Sequence, residues 1–135
     1  MDKDIESRFV KTFLQKRVQE RIIWELASKE KRRTAIFRFC HTTDDIVKPQ
    51  CVLNKSNQLT QDKIQEAIRE LTVLTACYVI SSDVEMDGKQ TRIENAVSCC
   101  IGLGMPSIII IGEQLSIIET EQGSGASIKY ILRTH

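Results

Sequence analysis

The chain has 135 residues, 19 Lys/Arg against 18 Asp/Glu, and 41% hydrophobic residues. That is the size and composition of one domain, residues 1–135, able to bury a core without disulfide staples. No stretch approaches the roughly 18 apolar residues of a membrane helix, and residues 1–6 carry mixed charge, unlike a secretory or transit peptide, so a cytoplasmic protein with no membrane partner is expected.

Residues 4–28 contain no Gly or Pro and predict one long N-terminal helix, spanning 1–28 as a unit. Its apolar residues fall in rows, Ile5, Phe9, Phe13 and then Val10, Leu14, Val18, Ile22, Leu26. Such an i+4 row drifts by about 40° per step on a 3.6-residue helix. The apolar surface therefore winds, which predicts two burial surfaces, the first half against one neighbour and the Trp24 end against another. A second subunit is one such neighbour. The basic run at residues 29–33 interrupts the pattern. Ala35, Ile36, Phe39 and Cys40 then mark a second helix, although the alternation in residues 34–39 also permits a strand.

Residues 41–58 read as loop, with a short edge strand at Cys51, Val52 and Leu53. Thr60 is a natural N-cap with Asp62 in the first turn, and Ile64, Ala67, Ile68 and Leu71 keep helical spacing behind it. Residues 73–80 are apolar and β-branched, the pattern of a buried strand. An acidic loop follows at 83–90. Thr91 with Glu94 makes a capping box that opens another helix, ended by Gly102 or Gly104 and by Pro106. A strand, a helical crossover and the Ile108–Ile111 run predict a parallel, right-handed unit.

From Ile108 onward the alternation predicts an antiparallel meander. Ile109 faces Ile117, Ile111 faces Leu115, Ile117 faces Ile131 and Glu119 faces Lys129. One sheet face carries Ile108, Ile110, Ile118, Ile128, Tyr130 and Leu132. The other carries Ile109, Ile111, Leu115, Ile117 and Ile131, fading to Glu119, Lys129 and Arg133 toward the edge. Both faces are apolar at the centre, so helices should cover both. The expected fold is α/β or α+β, with roughly three to four helices on a mixed sheet of about four strands, residues 73–134 forming the sheet.

Four constellations carry chemical potential. Asp83, Glu85 and Asp87 alternate ahead of Gly88, and Glu94 is twelfth in that window, nearly a calcium loop. Calcium or magnesium is the only sensible ligand for such a set. Against it stand the long Glu85, the polar Gln90 where an aliphatic residue belongs, and a capping role that already accounts for Glu94. No cofactor is therefore expected. His41, Asp44 and Asp45, beside Cys40 and Cys51, are the catalytic candidates, because a thiol, an imidazole and carboxylates can form a nucleophile, base and orienter. No paired spacing supports zinc there, and five cysteines without a CxxC fit buried thiols. Residues 122–126 are Gly-rich but join two strands, which makes a turn and not a phosphate cradle. His135 is the last residue. Finally, residues 1–40 hold eleven Lys/Arg against six Asp/Glu, and the basic segment 29–38 is the candidate for phosphate contact.

No complete catalytic set emerges. The reading that fits best is a non-enzymatic interaction or regulatory module that self-associates or binds a protein partner through its N-terminal helix. Metal binding or an enzyme centred on Asp83–Asp87 is the alternative. Nucleic-acid binding through 29–38 is the second alternative, weakened because the whole domain is not basic.

Overall fold

All four residues of the Ile108–Ile111 run are buried, in a strand with a neighbour on either side. The computed structural model describes residues 1–121 and 125–134. Its helices are α1 (Lys3–Phe13), α2 (Lys16–Ala27), α3 (Arg32–His41), α4 (Thr43–Ile46), α5 (Gln61–Leu71) and α6 (Ile93–Cys100). Its strands are β1 (Val52–Ser56), β2 (Ala76–Ser81), β3 (Gln90–Arg92), β4 (Ser107–Ile111), β5 (Leu115–Glu119) and β6 (Lys129–Arg133). They form one sheet in the order β1-β6-β5-β4-β2-β3, and every neighbouring pair is antiparallel. The expectation of three to four helices on a mixed sheet of four strands is thus corrected to six helices on a six-stranded antiparallel sheet. No helix among the described residues is long and apolar enough to cross a membrane.

The polarity error has a clear cause. The acidic loop turns the chain back through Gly88, at φ 79°, into β3, which pairs with β2 through Cys77 and Thr91. This short strand makes the return trip that a helix makes in a parallel crossover. The helix α6 then carries the chain to the far end again, and β4 enters antiparallel, with Ser81 beside Ser107. Thr91 lies in β3, so the expected capping box is absent. Arg92 is the N-cap of α6, and Glu94 pairs with Arg92 instead.

The meander has the expected register: Ile109 opposite Ile117, Ile111 opposite Leu115, Ile117 opposite Ile131, and Glu119 opposite Lys129. Period-two alternation fixes this, because a slip of one residue would exchange the two faces. Helices α1 to α4 cover the face of Tyr78, Ile80, Ile108, Ile110, Ile118 and Leu132. Helices α5 and α6 cover that of Val79, Ile109, Ile111, Leu115, Ile117 and Ile131. Ile128 lies before β6 and is exposed. Glu119 and Lys129 are buried and do not fade to the edge. The last expected turn falls on residues 122–126, of which 122–124 lie outside the described residues, as does His135.

The single helix over 1–28 is corrected to two. Leu14 takes an extended conformation (ψ 152°) and bridges to Val47, while Gln15 N–H bonds to Ile46 O and Lys48 N–H to Phe13 O. Tertiary pairing breaks the helix with no Gly or Pro to announce it. The break also resolves the winding stripe: α1 buries Phe9, Val10 and Phe13, then α2 restarts and buries Ile22 and Leu26. Trp24, at the end expected to pack against a second neighbour, stands 60% exposed. Residues 34–39 are helical. The strand expected from Val73 starts only at Ala76, and Val73 is 96% exposed.

Candidate functional site

Along α1, at the sheet end where β2 begins and β4 ends, lies a groove of about 570 Å³. The inner side of α1 supplies Ile5, Phe9 and Phe13, and the sheet supplies Ala76, Tyr78 and Ile110. Across its rim, Arg8 Nη1 donates to Glu113 Oε1 at 2.7 Å. Both charges are more than half exposed, so the pair is readily exchanged for other partners. The floor is apolar because α1 and the strands turn their core faces toward each other. Beyond Gly112 the apolar surface continues outward: the Leu74 Cδ1 methyl lies 2.8 Å from where a Cβ on that glycine would sit.

One wall of this groove is fixed by a buried ion network. Arg32, 7% exposed, spends all five N–H groups. Nη1 and Nη2 donate to Glu6 at 2.6 and 2.7 Å, and Nε and Nη2 to Asp87 at 2.7 and 2.8 Å. The remaining N–H on Nη1 donates to Leu26 O at 3.0 Å. Burial opposes the charge, but the bonds to Asp87 and Glu6 outweigh it and hold the guanidinium above its already high ordinary value. Tyr78 O–H donates to Glu6 at 2.6 Å and accepts from Asp2 N–H at 3.0 Å. Burial and the bond to Glu6 keep the phenol above the usual tyrosine range, a neutral donor. The network therefore pins α1 to α3, to β2 and to the acidic loop.

The metal-loop residues are dispersed by these contacts. Asp87 takes Arg32 and the Ser81 N–H. Asp83 accepts from Glu85 N–H in a local turn, Glu85 is exposed, and Glu94 lies on α6 beside Arg92. Among the described residues no group of three or more His, Cys, Asp or Glu side chains could hold a metal ion. The catalytic candidates diverge as well. Cys40 is buried, and burial with the nearby Glu119 charge pushes its thiol far up. His41 is exposed, with Nδ1 3.9 Å from Glu121. Asp44 accepts from Lys55 and from Tyr130 O–H, and these bonds hold its carboxyl below the usual range. Asp45 is exposed, its carbonyl accepts from Gln15 and Arg17, and its N–H donates to Thr42 O. Of the basic segment 29–38, Arg32 is buried, Arg38 pairs with Glu25, and Arg33 donates to Ser82 O.

Sequence reasoning missed Glu6, Arg32 and Tyr78. The signal existed: Glu6 keeps i, i+4, i+7 spacing with Val10 and Phe13, and Arg32 keeps it with Ala35, Ile36 and Phe39. A charge in core register on each of two neighbouring helices points to a buried pair. Glu119 was missed in the same way. Its carboxylate accepts from the N–H groups of Gly102, Leu103 and Gly104 at 2.9–3.1 Å, closing the end of α6. Comparison with protein-family profiles, with curated protein sequences and with solved structures found no match.

Proposed function

We propose that the protein is a non-enzymatic interaction module that self-associates through the face built around α1. The observation that carries this reading is the placement of a knob beside a hole. The groove along α1 borders Leu74, 51% exposed, and next to it Val73 projects at 96% exposure. A surface that holds a protrusion and a matching hollow side by side is self-complementary. A two-fold axis between them lets each copy place its Leu74 lip in the other's groove. Exposed apolar side chains continuous with an apolar groove also favour a macromolecular occupant, since a small ligand would leave the lip in water. The Arg8–Glu113 pair on the rim can exchange into Arg8–Glu113 pairs between copies, which sets register more than affinity.

The test is mass by light scattering from about 1 to 100 µM, where a two-fold association rises with concentration. The expected result is growth from 15.4 kDa toward twice that mass, and reversion to the monomer in Val73→Asp and Leu74→Asp. A monomer throughout, or dimers indifferent to both substitutions, removes this reading.

A further inference from the structure

A second surface carries a separate inference. Among residues 11–33, seven exposed Lys/Arg stand against two exposed Glu. Arg17, Arg21 and Trp24 follow i, i+4, i+7 spacing on the outer side of α2, a stripe of about 10 Å. Trp24 is 60% exposed, and the ammonium of Lys31 lies 5.3 Å from its ring centroid. The helix α2 buries Ile22 and Leu26 on its other side, so packing does not account for an exposed indole. Part of this basic surplus is spent within the chain, Arg17 donating to Asp45 O, Arg33 to Ser82 O and Arg21 lying 3.6 Å from Glu25, but all seven cations keep exposed surface, where such pairs exchange readily.

We propose that this face binds single-stranded nucleic acid, with a base stacked on Trp24 and the adjoining phosphates held by Arg17, Arg21 and Lys31. The chemistry selects this partner among polyanions. An aromatic plane with an ammonium 5.3 Å from its centroid and arginines one and two turns back along the helix matches the alternation of flat base and phosphate in an unpaired strand. A duplex keeps its bases stacked on each other and offers the indole nothing. An anionic membrane needs an apolar helix face to enter, and Trp24 is the only exposed large apolar side chain on α2. Of the 29–38 segment the site keeps Lys31, because the fold buries Arg32 and pairs Arg38 with Glu25.

Trp24 is the only tryptophan in the chain, so its fluorescence reports on this surface alone. The intact protein is titrated with oligothymidylate and oligouridylate of about 12 nucleotides. Stacking quenches the indole, and three neutralised phosphates give a slope of log K against log salt of about −2. With fluorescein-labelled oligonucleotide and anisotropy as readout, Trp24→Ala weakens binding by roughly tenfold or more. Arg17→Glu with Arg21→Glu abolishes it, in proteins whose circular dichroism is unchanged. Three results overturn the proposal: no quenching by either oligonucleotide, affinity insensitive to salt or to Trp24→Ala, or a blue shift on phosphatidylserine vesicles in place of quenching by oligonucleotide.

Discussion

Replacing Arg32 by Ala tests the account of how α1 is held. The substitution leaves Glu6, 6% exposed at its side chain, with Tyr78 O–H as a donor. It leaves Asp87, 11% exposed, with the Ser81 N–H. Two carboxylates, drawn from water by folding, then share no cation. Breaking a buried pair from one side costs about 3–5 kcal/mol, and here two carboxylates lose one partner, which favours the upper end. At an m-value of roughly 2 kcal/mol/M the urea midpoint falls by about 2 M. Against a total of about 5–15 kcal/mol, the variant stands near the limit of folding. Arg32→Lys separates charge from geometry. An ammonium keeps the charge but has three donors in place of five and no planar fork, so about half the loss is expected, near 2 kcal/mol. A midpoint shift below about 0.5 M for Arg32→Ala, or equal shifts for the two variants, would refute the reasoning. The first would mean that the network is strained or solvated, the second that the retained charge contributes nothing without the planar fork.

Three further outcomes follow from the same contacts. Glu119→Gln keeps shape but offers one acceptor oxygen to the Gly102, Leu103 and Gly104 N–H groups, so it should cost about 2–3 kcal/mol and lower the Tm in a calorimetric scan; an unchanged Tm contradicts the cradle. In a brief pulse of maleimide at neutral pH, read by peptide mass spectrometry, Cys99 should label first. Burial pushes the Cys77 and Cys100 thiols up to about 12 and about 11, and equal labelling would contradict their packing. Asp44→Asn should cost under about 1 kcal/mol at neutral pH, because the carboxyl is half in water. Lys55 and Tyr130 lower its folded pKa, so the wild-type advantage exists above the unfolded value of about 3.9. It closes as the pH falls through the lowered folded value, and an advantage that grows in acid would reverse the sign of the argument.

Local pattern made the meander legible. In Ile108–Ile111, Leu115–Ile118 and Tyr130–Leu132 each residue is apolar or small, and the turn at Gly112 fixes the pairing of the first two, so register follows from the turn and the two faces from the period-two direction of the side chains. The helix of Ile64, Ala67, Ile68 and Leu71 is equally local, with Thr60 accepting from Lys63 N–H as an N-cap should. The three-residue β3 left no such trace. Gln90, Thr91 and Arg92 have no alternation to display, and their pairing depends on an exposed backbone edge at Cys77. That omission alone turned an antiparallel sheet into a parallel crossover. The break at Leu14 was invisible for a related reason: the 46–48 segment supplies the hydrogen bonds that the helix gives up.

The candidate sites divide along the same line. Sequence by itself determined the meander strands of the scaffold, because burial of alternating apolar side chains is decided over a few neighbours. It placed Asp83, Asp87, His41 and Asp44 in pairs by nearness along the chain. Tertiary structure alone decided their partners: Asp87 belongs to an arginine 55 residues away and Asp44 to a tyrosine 86 residues away. A buried charge takes the oppositely charged or hydrogen-bonding group that packing brings within about 3 Å, and packing is set by the whole sheet. The groove along α1, the Leu74 lip and the exposed Trp24 exist for the same reason, as surfaces left over once the core has closed.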